Sequence, residues 1–138
     1  MSWIVVLDNE AVQAVQNPAH PKHRQMVSLA QVVASRKRRA VSVEVAVPTA
    51  VRVEAGWDRT SPAWVFPNRL RITDVPLDTA RASTAAAIRH RIGVSVADAH
   101  LGAVIQSTSA GQQITVVTSD PGDIRLVAGD RDMTVVAI

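Results

Sequence analysis

The chain reads as an α/β protein built on a mainly parallel sheet, and three observations carry that reading. Short β-branched runs alternate with longer stretches of helical spacing, the pattern of strand–helix–strand units. The runs are continuous aliphatics, as in Trp3-Ile4-Val5-Val6-Leu7, which is how strands covered on both faces look. Hydrophobic residues make up 47% of 138 residues, which suits one globular domain spanning 1–138.

Taken in order, strands are expected at residues 3–7, 40–45, 71–75, 114–117 and 133–137. Residues 9–16 form a short helix that stops at Asn17-Pro18. Residues 22–38 carry Met26, Leu29, Ala30 and Val33 at helical spacing. Pro48 presets the first turn of a helix reaching to about Trp57. Residues 59–68, with two prolines, read as a loop or one short helix. The alanine-rich stretch 77–92 is a helix by propensity. A further helix over 95–109 follows Gly93, and a last one over 121–128 ends at Gly129.

Composition removes several functions. With no cysteine there is no disulfide and no thiolate zinc site. Aromatics are 3% of the chain, too few for a platform that stacks single-stranded bases. The first apolar run is short and lacks a basic lead, and no stretch is long enough to cross a bilayer, so a cytoplasmic protein without a membrane partner is expected. The net charge is +3, with the basic block Arg36-Lys37-Arg38-Arg39 and the later Arg81, Arg89 and Arg91. Such blocks attract phosphate backbones, although cations at helix ends also serve the dipole.

Four carboxylates stand out against this background. Asp8 closes the first aliphatic run and Asp120 follows the run ending at Ser119; Asp98 and Glu54 interrupt apolar or small-residue helical stretches. Each has a bland role. Asp8 and Asp120 are placed to cap the helices after them, Ser95 to Asp98 matches a capping box, and Glu54 can face solvent. Capping does not exhaust a carboxylate's lone pairs. In an open α/β sheet, sites form beyond the carboxyl ends of the strands, where Asp8 and Asp120 both fall. Four carboxylates within about 5 Å would repel by roughly 3 kcal/mol per pair at an effective dielectric near 20. Such a cluster takes up protons or holds a divalent cation, and an all-oxygen set suits Mg²⁺ or Mn²⁺. Beside phosphate-attracting surface, the fitting chemistry is metal-assisted phosphodiester hydrolysis.

These same residues carry a resemblance. Ile4-Val5-Val6-Leu7-Asp8, residues 94–105 and Val116-Val117-Thr118-Ser119-Asp120-Pro121 resemble PIN-domain ribonucleases, and the chain is most similar to the small VapC-like toxins of bacterial toxin–antitoxin systems. The resemblance implies a three-layer α/β/α sandwich with about five strands and an Mg²⁺- or Mn²⁺-dependent endoribonuclease. Asp8, Asp98 and Asp120 would be its metal ligands, with Glu54 completing the site and orienting water. Thr118 would hold a ligand or water, and Asp123 would assist from behind. Arg36, Lys37, Arg38 and Arg39, or some of the other arginines, would hold the RNA backbone. It also implies a homodimer and a cognate antitoxin that plugs the acidic groove. Asn9 departs from the small hydroxyl residue common there, and Glu44 rivals Glu54 for the glutamate role. The alternative function is a non-catalytic PIN-like module binding RNA or protein.

The remaining candidates read otherwise. His20 and His23 flank a proline in polar surroundings, a surface loop. His100 follows Asp98 by two residues and so lies on another helical face. Ser107, Thr108 and Ser109 have no recognisable His–Asp pair beside them. Trp3, Trp57 and Trp64 read as core or interface anchors. A phosphoacceptor domain of response-regulator type would need a lysine near the C-terminus, and the only lysines are Lys22 and Lys37.

Overall fold

The computed structural model describes residues 2–38 and 42–138, without the side chains of Ala34 and Arg36 to Arg38. The expected phosphate-holding block Arg36, Lys37, Arg38 and Arg39 therefore lies outside the described side chains, as do the first two residues of the strand expected at 40–45. The described strands are β1 (Ser2–Leu7), β2 (Ser42–Pro48), β3 (Thr73–Val75), β4 (Gln112–Thr118) and β5 (Thr134–Ala137). They form one sheet in the order β3-β2-β1-β4-β5, and every pairing is parallel. The helices are α1 (Asn9–Gln16), α2 (His23–Arg38), α3 (Thr49–Ala55), α4 (Val65–Arg69), α5 (Thr79–Ile92), α6 (Val96–Ser107) and α7 (Pro121–Ala128).

Two helical groups flank the sheet. Helix α1 packs against α2 and α4, while α5, α6 and α7 pack against one another. Helix α3 touches both α1 and α6 and so bridges the layers. The central strands explain their own composition: Val5, Val6, Val116 and Val117 are fully buried, as continuous aliphatic runs must be when helices cover both faces.

Element ends move where capping chemistry decides them. Pro48 is the last residue of β2, and its extended backbone (φ −62°, ψ 136°) places it before α3, not in its first turn. Helix α3 stops at Ala55, short of Trp57, because Gly56 adopts the left-handed conformation at φ 73°. The Gly56 amide then bonds the Val53 carbonyl and the Trp57 amide bonds that of Arg52, a Schellman ending. Helix α5 starts at Thr79, not residue 77, because the Asp78 carboxylate accepts the Arg81 amide at 2.8 Å. The proline-bearing segment folds as a 3-10 turn, Pro62–Trp64, running into α4.

Beyond α3, Trp57 and Trp64 stack with centroids 5.6 Å apart, buried, with the Arg59 guanidinium 4.5 Å from the Trp57 ring. Arg59 and Arg52 both reach Asp74 on β3, at 2.8 and 2.9 Å. This arrangement ties the C-terminal end of α3 to the sheet.

The strand order places the functional edge. From β1 the chain moves outward through β2 to β3, then returns to the other side of β1 with β4 and continues to β5. The reversal falls between β1 and β4, the place where open α/β sheets form a crevice beyond the strand ends.

Candidate functional site

Asp8 and Asp120 stand on either side of that crevice. β1 ends at Leu7, and the next residue caps α1: Asp8 Oδ1 accepts the Ala11 amide at 2.8 Å. Its Oδ2 accepts the Ser119 amide at 3.3 Å, and the Thr118 side chain hydrogen-bonds the same carboxylate. Asp8 is only 8% exposed. Burial pushes its carboxyl above the usual range, against the lowering pull of the Thr118, Ala11 and Ser119 hydrogen bonds. Thr118 is fully buried at the end of β4, and its Oγ1 accepts the Asp120 amide at 2.9 Å. Asp120 caps α7, accepting the Asp123 amide, with Pro121 in the first helical turn.

The other acids arrive from the helices. Ser95 caps α6 by accepting the Asp98 amide at 3.1 Å, which puts Asp98 in the first turn. Burial raises the Asp98 carboxyl, a hydrogen bond from Ser95 opposes this, and the negative charges of Asp8 and Asp120 raise it further. Glu54, in the last turn of α3, is also raised, by burial and then by Asp98 and Asp8. Asp123 is raised by its hydrogen bond with Asp120 and by the charges of Asp120 and Asp98.

These mutual influences link Asp8, Glu54, Asp98, Asp120 and Asp123 into one field. Among the described residues none of the five has a salt-bridge partner, in contrast to Asp74 and Asp78, which pair with arginines. The capping roles and the cluster coexist, and the N-terminal ends of α1, α6 and α7 turn their positive poles toward it. Glu44 is not part of it. The register sets Glu44 opposite Ile4, four residues short of Asp8 and so roughly 13 Å down the sheet.

The donor set is carboxylate and hydroxyl oxygen without thiol, which fits a hard cation. Asn9 Oδ1, next to Asp8 in sequence, is buried with no partner among the described residues. Among the described residues no group of three or more His, Cys, Asp or Glu side chains is arranged to hold one ion directly.

Other expected residues fall elsewhere. His20 pairs with Glu10, and His23 bonds the Ala14 carbonyl, so both tie the turn before α2 to α1. Ser107 and Thr108 donate to the Val104 carbonyl at the far end of α6. Arg81 pairs with Asp78, and Arg89 donates to the Val94 carbonyl. His100 is the residue that sequence reasoning underrated: it is fully buried, and its Nδ1 accepts the Ala50 amide at 3.2 Å. A lone polar ring in the apolar run from Ala97 to Ile105 is the signal that could have found it.

No family model matches the chain, and no curated protein matches it in sequence. Among solved structures it is similar to a chain of VapBC2 from Rickettsia felis, crystallised bound to a DNA fragment from their promoter. The likeness covers 96% of this chain and 98% of that one, with a TM-score of 0.60 and 14% sequence identity. At that identity the likeness shows the fold, and it agrees with the PIN-like α/β architecture that the motifs implied. Among the described residues no helix is long and apolar enough to cross a membrane.

Proposed function

We propose that this chain is a divalent-metal-dependent endoribonuclease acting as the toxin of a toxin–antitoxin pair. The observation that carries the reading is the field shared by Asp8, Glu54, Asp98 and Asp120 at the strand-order reversal, with no cationic side chain paired to any of them among the described residues. Carboxylates drawn together with no cationic partner among the described residues repel one another, a cost that capping alone does not explain. The fold-level likeness to VapBC2 supports the toxin assignment by analogy.

In this reading Asp8, Asp98 and Asp120 hold Mg²⁺ or Mn²⁺, partly through water, and Glu54 completes the site. When bound, the ion supplies a Lewis acid for the phosphate and makes a nearby water more acidic. Thr118 holds the Asp8 carboxylate in place, Glu54 orients the attacking water, and Asp123 shares the charge of Asp120. Arg36, Lys37, Arg38 and Arg39 hold the RNA backbone. The partners are an RNA substrate, a second copy of the chain, and an antitoxin that offers a basic group to the acids.

Purified protein should cut RNA only when a divalent metal is present, and Asp98→Asn should abolish cutting while the fold persists. Unchanged cleavage by that variant removes the assignment. That no three such side chains are arranged to hold one ion among the described residues favours one rival, a non-catalytic module of the same fold. Calorimetric titration with millimolar Mn²⁺ separates them, since only the nuclease takes up the ion.

A further inference from the structure

His100 lies on α6 two residues beyond Asp98, fully buried. A buried imidazole must place two ring nitrogens. Its Nδ1 accepts the Ala50 amide at 3.2 Å. Ala50 is the second residue of α3, and its amide belongs to the first turn, where a helix offers no acceptor of its own. The cap position is Pro48, whose side chain makes no capping hydrogen bond. The imidazole thus does for α3 what serine does for α6, but from a different helix.

Nδ1 as acceptor leaves the ring proton on Nε2. Nε2 is buried without a hydrogen-bond partner among the described residues.

The two helices joined in this way carry two of the acids. Asp98 sits one half-turn before His100 on α6, and Glu54 sits one turn after Ala50 on α3. The far end of α3 is held by its Schellman ending and by the Arg52–Asp74 pair. The near end has the Thr49 hydroxyl, which accepts the Leu77 amide at 3.3 Å, and the His100 contact. Beside the packing of the two helices, only the latter of these hydrogen bonds joins α3 to the helix of Asp98.

We propose that His100 is a positioning residue of the acidic site: through the Ala50 amide it latches α3 to α6 and sets Glu54 against Asp98. The role rests on the metal-site reading above. It differs from mere core filling because it depends on one acceptor atom, not on volume.

Three substitutions separate these roles. Asparagine places an amide oxygen near the position of Nδ1. Glutamine extends past it, and leucine fills space without an acceptor. Expected is Mn²⁺ affinity close to wild type in His100→Asn and lower by about tenfold or more in His100→Gln and His100→Leu. Hydrogen exchange at the Ala50 amide should stay slow in the first and quicken in the other two. If His100→Leu fails to fold, the Asn and Gln variants decide alone. Equal Mn²⁺ affinity and equal Ala50 exchange in those two overturns the latch. Wild-type protein that binds no Mn²⁺ overturns the metal-site reading and with it the positioning role, while Ala50 exchange still reports whether the latch exists.

Discussion

Thr118 hydrogen-bonds the Asp8 carboxylate while its Oγ1 accepts the Asp120 amide at 2.9 Å, so one buried hydroxyl joins the acids that end β1 and β4. Thr118→Val keeps the shape and removes both bonds. It leaves a backbone amide without its partner and Asp8 without one of the hydrogen bonds that hold its pKa down. The expected cost is about 1–3 kcal/mol in urea denaturation, together with weaker Mn²⁺ binding at neutral pH. Thr118→Ser should stay near wild type on both measures, and a stable, fully competent Val variant would contradict the role.

Glu54 is a negative charge in the last turn of α3, at the unfavourable pole of the helix and facing Asp98 and Asp8. Glu54→Gln should therefore raise the thermal midpoint of the metal-free protein, by roughly 0.3–1 kcal/mol at the midpoint. The same change should lower Mn²⁺ affinity. Stability gained while binding is lost is the signature of a residue kept for function; scanning calorimetry with and without Mn²⁺ reads both.

The pH dependence has an unusual sign. Asp8, Asp98 and Glu54 all hold protons more readily in the folded chain than in the unfolded one. Between the ordinary carboxylate value near 4 and their raised folded values, the folded state binds more protons. Their contribution to metal-free stability is thus fully present below the ordinary value and lost as pH rises through the folded values. Asp58, lowered by its hydrogen bonds with Thr60, acts in the other direction. The clean comparison is therefore wild type against Asp98→Asn, whose midpoint should depend less on pH across that window. Added Mn²⁺ should stabilise most above the raised values and progressively less as protons compete. A metal-induced shift undiminished at acid pH would speak against the cluster.

Gly102 lies where α6 meets α7 and α5. A Cβ there would stand 2.7 Å from the Val127 carbonyl oxygen, 2.8 Å from Val127 Cβ and 3.0 Å from Ile88 Cδ1. Backbone does not yield as a side chain does, so Gly102→Ala should cost about 1–3 kcal/mol in chemical denaturation. A neutral Gly102→Ala would show that α6 and α7 can separate more easily than their contact suggests.

Periodicity made the elements readable because helices and strands announce themselves locally. Asn9–Gln16 and Pro121–Ala128 came out to the residue, since an aspartate cap opens each and Asn17 or Gly129 closes it. Where Asp78 rather than Leu77 opens α5, or Gly56 ends α3 before Trp57, the choice lay in cap bonds that spacing does not reveal. Asp8 and Asp120 could be assigned to one edge because parallel strands share a direction. That they share a crevice depended on β4 lying beside β1, a long-range pairing. Glu44 rivalled Glu54 although it lies inside a strand run, and the register sets Glu44 opposite Ile4, away from Asp8. His100 left little trace because its partner is a backbone amide fifty residues away, and amides have no sequence signature.

The strand order also imposes a schedule. The Ser119 amide that grips Asp8 is made 111 residues after it. At ordinary rates of synthesis that gap lasts about 5–20 s. During it β1 has no β4 beside it, so one edge of the future central strand stays open and prone to pair with other chains. Asp120 and Thr118 do not yet exist. Asp8 and Asp120 can act together only once β4 has been made and lies beside β1.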